Sequence, residues 1–184
     1  MKMLLNNKKI LLGVSGSIAA YKACNLVRLL IKNGTEVKVV MTKNACEFIT
    51  PLTFQTLSKN PIMVESFDKP ASWNPEHISY ADWADLLLVA PATANIIAKI
   101  TYGIADDALS SIALAFLKPI VIAPAMNCNM YNNKATQNNF NILKERGIHL
   151  MESEIGELAC GYEGSGRFPE EKKIVELVIQ ILKK

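Results

Sequence analysis

Dense apolar runs alternate along the chain with stretches whose apolar positions recur every three to four residues. The run 9–14 is apolar at nearly consecutive positions and ends in Gly13-Val14-Ser15-Gly16-Ser17, and 37–41 is a second run of the same kind. Between them, Ala20, Cys24, Val27 and Ile31 share one side of a helix predicted over 17–32, which Asn33-Gly34 terminates. A short helical stretch then breaks at Pro51, and 61–65 reads as a third strand. The runs 86–90 and 120–123 are each closed by a proline, with helices predicted near 94–101 and 106–117 between them. A polar helix near 132–146 ends at Arg146-Gly147, and 148–151 makes a last strand. Residues 170–183 form a helix with Ile174, Val175, Val178, Ile181 and Leu182 facing inward.

Strands that alternate with helices but lack an apolar/polar alternation of their own belong to a parallel sheet buried on both faces. The fold class is therefore α/β, a three-layer Rossmann-like or flavodoxin-like arrangement with helices on both faces of a parallel sheet. Such sheets bind ligands beyond the carboxyl ends of their strands. The residues at those ends are Gly16-Ser17, Thr42, Thr93-Ala94-Asn95 and Met126-Asn127. Residues 153–169 contain Gly156, Gly161, Gly164 and Gly166 without periodicity, and are expected to form a loop that acts as a substrate lid.

Composition narrows the function. Half of the 184 residues are apolar and a fifth are charged, with mean hydropathy +0.17, so the chain is expected to fold as one domain over 1–184. The net charge of +3 gathers in lysines near the two ends, which is no nucleic-acid face. No apolar run approaches the ~18 residues of a membrane span, and Asn6 to Lys9 interrupt any signal-peptide core, so a cytoplasmic protein is expected. Cys24, Cys46, Cys128 and Cys160 form no Cys-x-x-Cys pair, and the histidines are His77 and His149 alone, which argues against zinc and against a disulfide framework. No metal is expected.

The first turn bears on the ligand. A glycine-rich strand-to-helix turn offers backbone N–H groups to an anion. Here no Gly-Lys-Ser/Thr follows, the spacing is G-x-x-G rather than G-x-G-x-x-G, and the second strand ends at Thr42 without the acidic residue that would hold an NAD ribose. Hydroxyls at Ser17 and Thr42 suit a terminal phosphate, so a mononucleotide such as FMN fits better than NAD. The alternative is that these residues only cap helices, and the same holds for Asn127 before its helix.

Four segments carry chemistry in chain order: Gly16-Ser17-Ile18-Ala19-Ala20, the histidine of Pro75-Glu76-His77-Ile78, Pro124-Ala125-Met126-Asn127-Cys128-Asn129-Met130, and Ala159-Cys160-Gly161-Tyr162-Glu163-Gly164-Ser165-Gly166-Arg167. In this combination, over nearly the whole chain, the sequence resembles the flavin-dependent cysteine decarboxylases, most nearly their coenzyme A biosynthesis branch. The resemblance implies FMN, held between two subunits of a homotrimer, which stands either alone or as one of four trimers in a dodecamer. It assigns FMN contacts to Gly16, Ser17 and Ile18, to Thr42, Lys43 and Asn44, to Thr93, Ala94, Asn95 and Ile96, and to Ala125. Catalysis falls to His77, Asn127 and Cys160, and substrate binding to Asn127, Met126, Ala159, Gly161 and Arg167. Two positions depart from the family's usual residues, Tyr131 in place of tryptophan and Phe168 in place of methionine.

The implied reaction converts 4′-phosphopantothenoylcysteine to 4′-phosphopantetheine and CO2. A cysteinyl carboxylate loses CO2 readily only once the adjacent CH2–SH is oxidised to a thioaldehyde, because an ene-thiolate can then take the charge. Returning the hydride makes the cycle redox-neutral. In this scheme His77 takes the thiol proton, Asn127 holds the carboxylate without opposing its departure as a neutral molecule, and Cys160 returns a proton. The rival readings are a peptidyl-cysteine decarboxylase, a flavin prenyltransferase (against which His77 and Asn127 both count) and a non-catalytic flavin-binding subunit. Apolar residues on several sides of the first helix (Ile18, Tyr21, Leu26, Leu29, Leu30) are expected to include a subunit interface.

Overall fold

The computed structural model describes residues 4–64, 76–157, 161 and 163–183. The chain begins with β1 (Lys9–Val14), α1 (Ala20–Lys32), β2 (Glu36–Met41), α2 (Lys43–Cys46), α3 (Pro51–Ser58) and β3 (Ile62–Met63). It continues through α4 (Glu76–Trp83), β4 (Leu86–Ala92), α5 (Ala94–Tyr102), α6 (Ala108–Ala115) and β5 (Ile120–Pro124). After these come α7 (Cys128–Asn132), α8 (Lys134–Glu145), β6 (His149–Leu150), β7 (Glu154–Glu157), β8 (Glu163–Arg167) and α9 (Glu171–Leu182). Strands β1 to β6 form one parallel sheet in the order β3-β2-β1-β4-β5-β6. This is the Rossmann order, with its switch between β1 and β4.

Alternate residues of each strand feed two separate cores. Ile10, Leu12, Val14, Leu86 and Leu88 pack with α1, α3 and α9 through Leu26, Leu30, Phe54, Ile174 and Val178. Leu11, Leu87, Val89 and Ile122 pack on the opposite face with α4, α5, α6 and α8 through Ala81, Ile97, Ile112 and Leu143. Each fully buried Leu or Ile contributes about 2 kcal/mol, so both faces are needed to hold the strand ends in register. No helix among the described residues is long and apolar enough to cross a membrane.

Four expectations change. Helix α1 starts at Ala20 rather than 17, because Ser17 N–H bonds Ser15 O (2.8 Å) and the Ser17 hydroxyl accepts the Ala19 N–H (3.3 Å), making 15–19 a tight turn. The polar helix is two helices, because Asn133 ends α7 and caps α8, accepting the Ala135 N–H at 2.9 Å. Leu26 and Leu30 are fully buried in the core, so of the apolar residues named for an interface only Ile18 (55% exposed) and Tyr21 (58% exposed) stand well out.

The largest difference is at 153–169. Its described part is an antiparallel ribbon, with Glu154 opposite Arg167 and Gly156 opposite Gly164. Glycines and charges leave it no apolar face, and its stability comes from what it leans on. Gly166 O accepts the Met126 N–H (2.9 Å), Gly166 N–H bonds Ser153 Oγ (2.9 Å), and Lys173 on α9 binds Glu154 (2.9 Å).

Candidate functional site

The ends of β1 and β4 are tied together by one buried side chain. Ser15, 1% exposed, donates its hydroxyl to Pro91 O (2.8 Å) and accepts the Thr93 N–H (3.0 Å). Its backbone N–H also reaches Pro91 O (3.2 Å), beside the cis peptide Ala90–Pro91. This fixes the wall from which the helices α1 and α5 diverge. Ser15 was not singled out by the sequence, although it lies inside the glycine-rich turn and is the hydroxyl there that faces inward.

Residues just past three strand ends cap the helices that follow. Thr42 accepts the Ala45 N–H (3.3 Å) after β2, Thr93 the Ile96 N–H (3.4 Å) after β4, and Asn127 the Asn129 N–H (2.8 Å) after β5. All three side chains do cap helices, as expected for Asn127, and their positions still face the strand ends. Gly16 crosses directly over α2. A Cβ built there would meet the Asn44 Cβ at 2.6 Å and its carbonyl carbon at 3.0 Å, so only glycine allows the turn to pass.

Two clefts flank this wall and share Gly16, Thr93 and Met130. The first, 740 Å³, also takes in Ser17, Ile18 and Ala125, with Met126 and Asn127 opposite. Gly161, Arg167 and Phe168 close it from the ribbon side, and Tyr21 and Lys22 from α1. The second, 680 Å³, takes in Thr42, Lys43 and Asn44, Asn95 and Ile96, and His77 from the first turn of α4. Of the residues expected at the site, Ala94 lines neither cleft, and Ala159 and Cys160 lie outside the described residues. His77 and Asn127 are therefore not brought together in one cleft of one chain.

The second cleft holds its own charge balance. Lys99 Nζ bonds Asp106 Oδ1 (2.6 Å) and Asp107 Oδ2 (2.7 Å), and Asp107 caps α6 by accepting the Ser110 N–H (2.7 Å). Burial pushes the Asp107 carboxyl upward, but hydrogen bonds from Lys99 and Ser110 outweigh it and hold the group below the usual carboxylate range. Burial likewise pulls Lys99 down, and its two carboxylate partners carry it above the ordinary lysine value. Sequence inspection missed this trio; its members are separated by the Gly103 turn, and only the spacing of seven and eight residues hints at it.

The remaining cysteines read as structural. Burial raises the thiols of Cys24 and Cys46, keeping them protonated, and Cys46 Sγ lies 3.6 Å from Thr42 O. Cys128 packs under the ribbon, where a Cβ on Gly164 would touch it at 3.0 Å. Among the described residues no three His, Cys, Asp or Glu side chains gather as a metal site.

A family model described as Flavoprotein matches residues 2–183. The chain is similar to the coenzyme A biosynthesis bifunctional protein CoaBC of Bacillus subtilis, with 49% identity over 174 residues, 95% of this chain and 43% of that protein. It thus spans less than half the length of the curated relatives it matches. Among solved structures it is similar to a PPC decarboxylase variant complexed with pantothenoylaminoethenethiol, with 33% identity and TM-score 0.87, covering 97% of this chain and 100% of the other. The FMN binding protein AtHal3 superposes with TM-score 0.84 at 34% identity, covering 97% of this chain and 98% of its own.

Proposed function

The chain belongs to the flavoprotein family, and on that footing we propose that it is an FMN-dependent decarboxylase converting 4′-phosphopantothenoylcysteine to 4′-phosphopantetheine and CO2. The observation that carries the reading is the cradle at the strand-order switch: Gly16, Thr42 and Thr93 line clefts there, with Asn127 across the first and His77 in the second. The relatives named for coenzyme A biosynthesis and for PPC decarboxylation support the substrate.

The residues present fit FMN. The turn at Gly16 has no room for a Cβ, hydroxyls of Ser17, Thr42 and Thr93 stand where strand ends and helix starts favour a phosphate, and Asn95 adds an amide. These residues, with Ile18, Lys43, Asn44, Ile96 and Ala125, would hold it. When bound, FMN supplies a hydride acceptor that can return what it takes, so no external nicotinamide is consumed.

The chain's own groups handle protons and position. His77 takes the proton of the substrate thiol. Asn127, fixed by its cap to α7, presents an uncharged amide to the carboxylate; a cation there would bind the ground state more tightly than the departing CO2. Cys160 would return a proton once CO2 has left.

Because His77 and Asn127 line different clefts of one chain, a substrate touching both within one chain would have to straddle the Gly16–Thr93 wall. Apposing the first cleft of one copy to the second cleft of another removes that obstacle, with exposed Ile18 and Tyr21 at the contact. This supports FMN held between subunits, and the family resemblance makes the assembly a homotrimer, alone or as one of four trimers in a dodecamer. The test is direct: the purified protein should be yellow and release CO2 from phosphopantothenoylcysteine without added NAD(P)H. A colourless protein, or one that needs NADPH, would overturn the reading.

A further inference from the structure

Helix α4 carries His77 in its first turn, yet it has little apolar surface with which to hold its place. Of its eight residues only Ala81 is buried, with Tyr80 and Trp83 packed part-buried beside the second core. Burial of an apolar face is what ordinarily seats a short helix on a sheet, so α4 needs another anchor. His77 stands at the end of α4 nearest the second cleft and Trp83 at the other end, about 9 Å along the axis.

That far end is gripped by three lysines. Lys38 Nζ lies 4.9 Å from the ring centroid of Tyr80 and 4.5 Å from that of Trp83, and Lys9 Nζ lies 5.8 Å from Trp83. Lys118 Nζ donates to the carbonyls of Asp82 (2.9 Å) and Ala84 (2.6 Å), where the helix dipole favours a cation. Lys38 is the unexpected one. By strand alternation it shares a face of the sheet with Val40, which is fully buried in the second core, and its neighbour in register on β1 is the equally buried Leu11. An apolar residue would suit that place, and among the described residues no carboxylate pairs with Lys38. Its described partners are the two rings. Burial, and then the charge on Glu76, push the Tyr80 hydroxyl up, so Lys38 meets a neutral π face and not a phenolate.

Resting on the function proposed above, we propose that Lys38 is a positioning residue for that reaction: by bridging the Tyr80 and Trp83 rings it fixes the set of α4 on the sheet and so holds His77 at the second cleft. Tyr80 lies three residues after His77, so the imidazole and the gripped ring share one side of the helix. A rotation or tilt of α4 that Lys38 forbids would carry His77 with it. Proton transfer needs the base within hydrogen-bond reach of the thiol, and a displacement of about 1 Å costs on the order of 100-fold in rate. A clamp remote from the chemistry therefore sets how fast it runs.

The flavin-loaded protein is assayed for kcat and KM with phosphopantothenoylcysteine, alongside Lys38→Met, Lys38→Arg and Trp83→Phe. In Lys38→Met, kcat should fall roughly 5- to 30-fold, with KM within about 2-fold of wild type and flavin absorbance per chain unchanged. Lys38→Arg, whose guanidinium also stacks on aromatic faces, should restore most of the rate. Trp83→Phe keeps an apolar ring but attracts a cation less, and should lower kcat roughly 2- to 5-fold; it decides the matter should Lys38→Met not fold. In a His77→Asn background, Lys38→Met should cost nothing further in kcat. Amide hydrogen exchange over residues 76–83, which needs no activity, should quicken in Lys38→Met and stay as in wild type in Lys38→Arg. An unchanged kcat in Lys38→Met overturns the proposal, as does an equal loss of rate with His77 and without it, or unaltered exchange over 76–83. Wild-type protein that releases no CO2 refutes the decarboxylase reading and this inference with it, whereas wild-type turnover with an unaffected Lys38→Met refutes this inference alone.

Discussion

The cleft under the ribbon and the cleft under α4 are built on the same wall, Gly16 and Thr93, yet they treat charge in opposite ways. In the second, every cation whose bonds are described has carboxylate partners: Lys99 is locked to Asp106 and Asp107, and Asp107 is in turn a helix cap. Such a group is spoken for by the fold. In the first, Lys22 has no carboxylate partner among the described residues and rests on the Phe168 ring, while Arg167 lies over Gly156 in the ribbon and helps Lys173 to hold the Glu154 carboxyl below its ordinary range. The difference separates a lysine locked by two carboxylates from one held against an aromatic face. On the proposed function it would also divide the labour, with proton chemistry at His77 in one cleft and Asn127 toward the substrate carboxylate in the other.

The most severe way to break the comparison is to remove one chemical group from each cleft. His77→Asn and Asn127→Asp should each lower kcat by about 10²- to 10⁴-fold, and neither should release flavin. Asn127→Asp should also raise KM, since it sets a carboxylate against a carboxylate in the first cleft. If the subunits complete one another's sites, mixing the two inactive variants under conditions that exchange subunits should restore part of the activity. No restoration despite proven exchange would place a complete site within one chain.

Much of this was legible before the structure. Apolar strands without alternation specified a buried parallel sheet, and the residues after them, Gly16, Thr42, Thr93 and Asn127, do stand at its carboxyl edge. The strand order across β1 and β4 was not legible, because apolar pattern is the same whichever neighbour a strand takes. The ribbon escaped for a different reason: Glu154–Glu157 and Glu163–Arg167 bury no common face, and their order comes from long-range bonds to Met126, Ser153 and Lys173. Ser15 and Lys22 were overlooked because their importance lies in partners 76 residues and more away, Pro91 and Phe168, that no local window contains. Cys160 stands outside the described residues, so its assignment rests on the motif alone.

A second contrast sets two glycines against each other. Gly16→Ala drives a Cβ into Asn44 on the wall common to both clefts, so flavin affinity should drop by roughly 10-fold or more. Gly166→Ala acts on the first cleft alone. Its φ of +108° strains any side chain, and the Cβ would run into the Met126 carbonyl, next to the Met126 N–H···O bond that docks the ribbon. The expected cost is about 2 kcal/mol, with KM for substrate raised and flavin retained. Flavin titration and steady-state kinetics on both variants decide the matter. Flavin loss in Gly166→Ala equal to that in Gly16→Ala would show the clefts to be one site rather than two.

The smallest effect expected concerns stability on the side of the second cleft. Asp107 both caps α6 and binds Lys99, and the two functions can be parted. Asp107→Asn keeps a good capping oxygen and loses the charge; Asp107→Ala loses both, for a total of about 1–2 kcal/mol. The folded carboxyl titrates below its unfolded value, so its stabilisation is fully present above the ordinary carboxylate range and is lost as pH falls through the depressed folded value. Lys99 is the mirror case: raised on folding, its contribution is complete below the ordinary lysine value and lost as pH rises through the folded one. The stability gap between wild type and Asp107→Asn should therefore be flat from about pH 5 to 9 and narrow below about pH 4. Urea midpoints at a series of pH values measure it directly. A gap that widens on acidification would mean that Asp107 is held as the neutral acid in the folded protein, and the charge balance drawn for the second cleft would fail. Lys22→Met, by contrast, removes a cation that no carboxylate partners among the described residues, and its urea midpoint relative to wild type should not vary over the same acidic range.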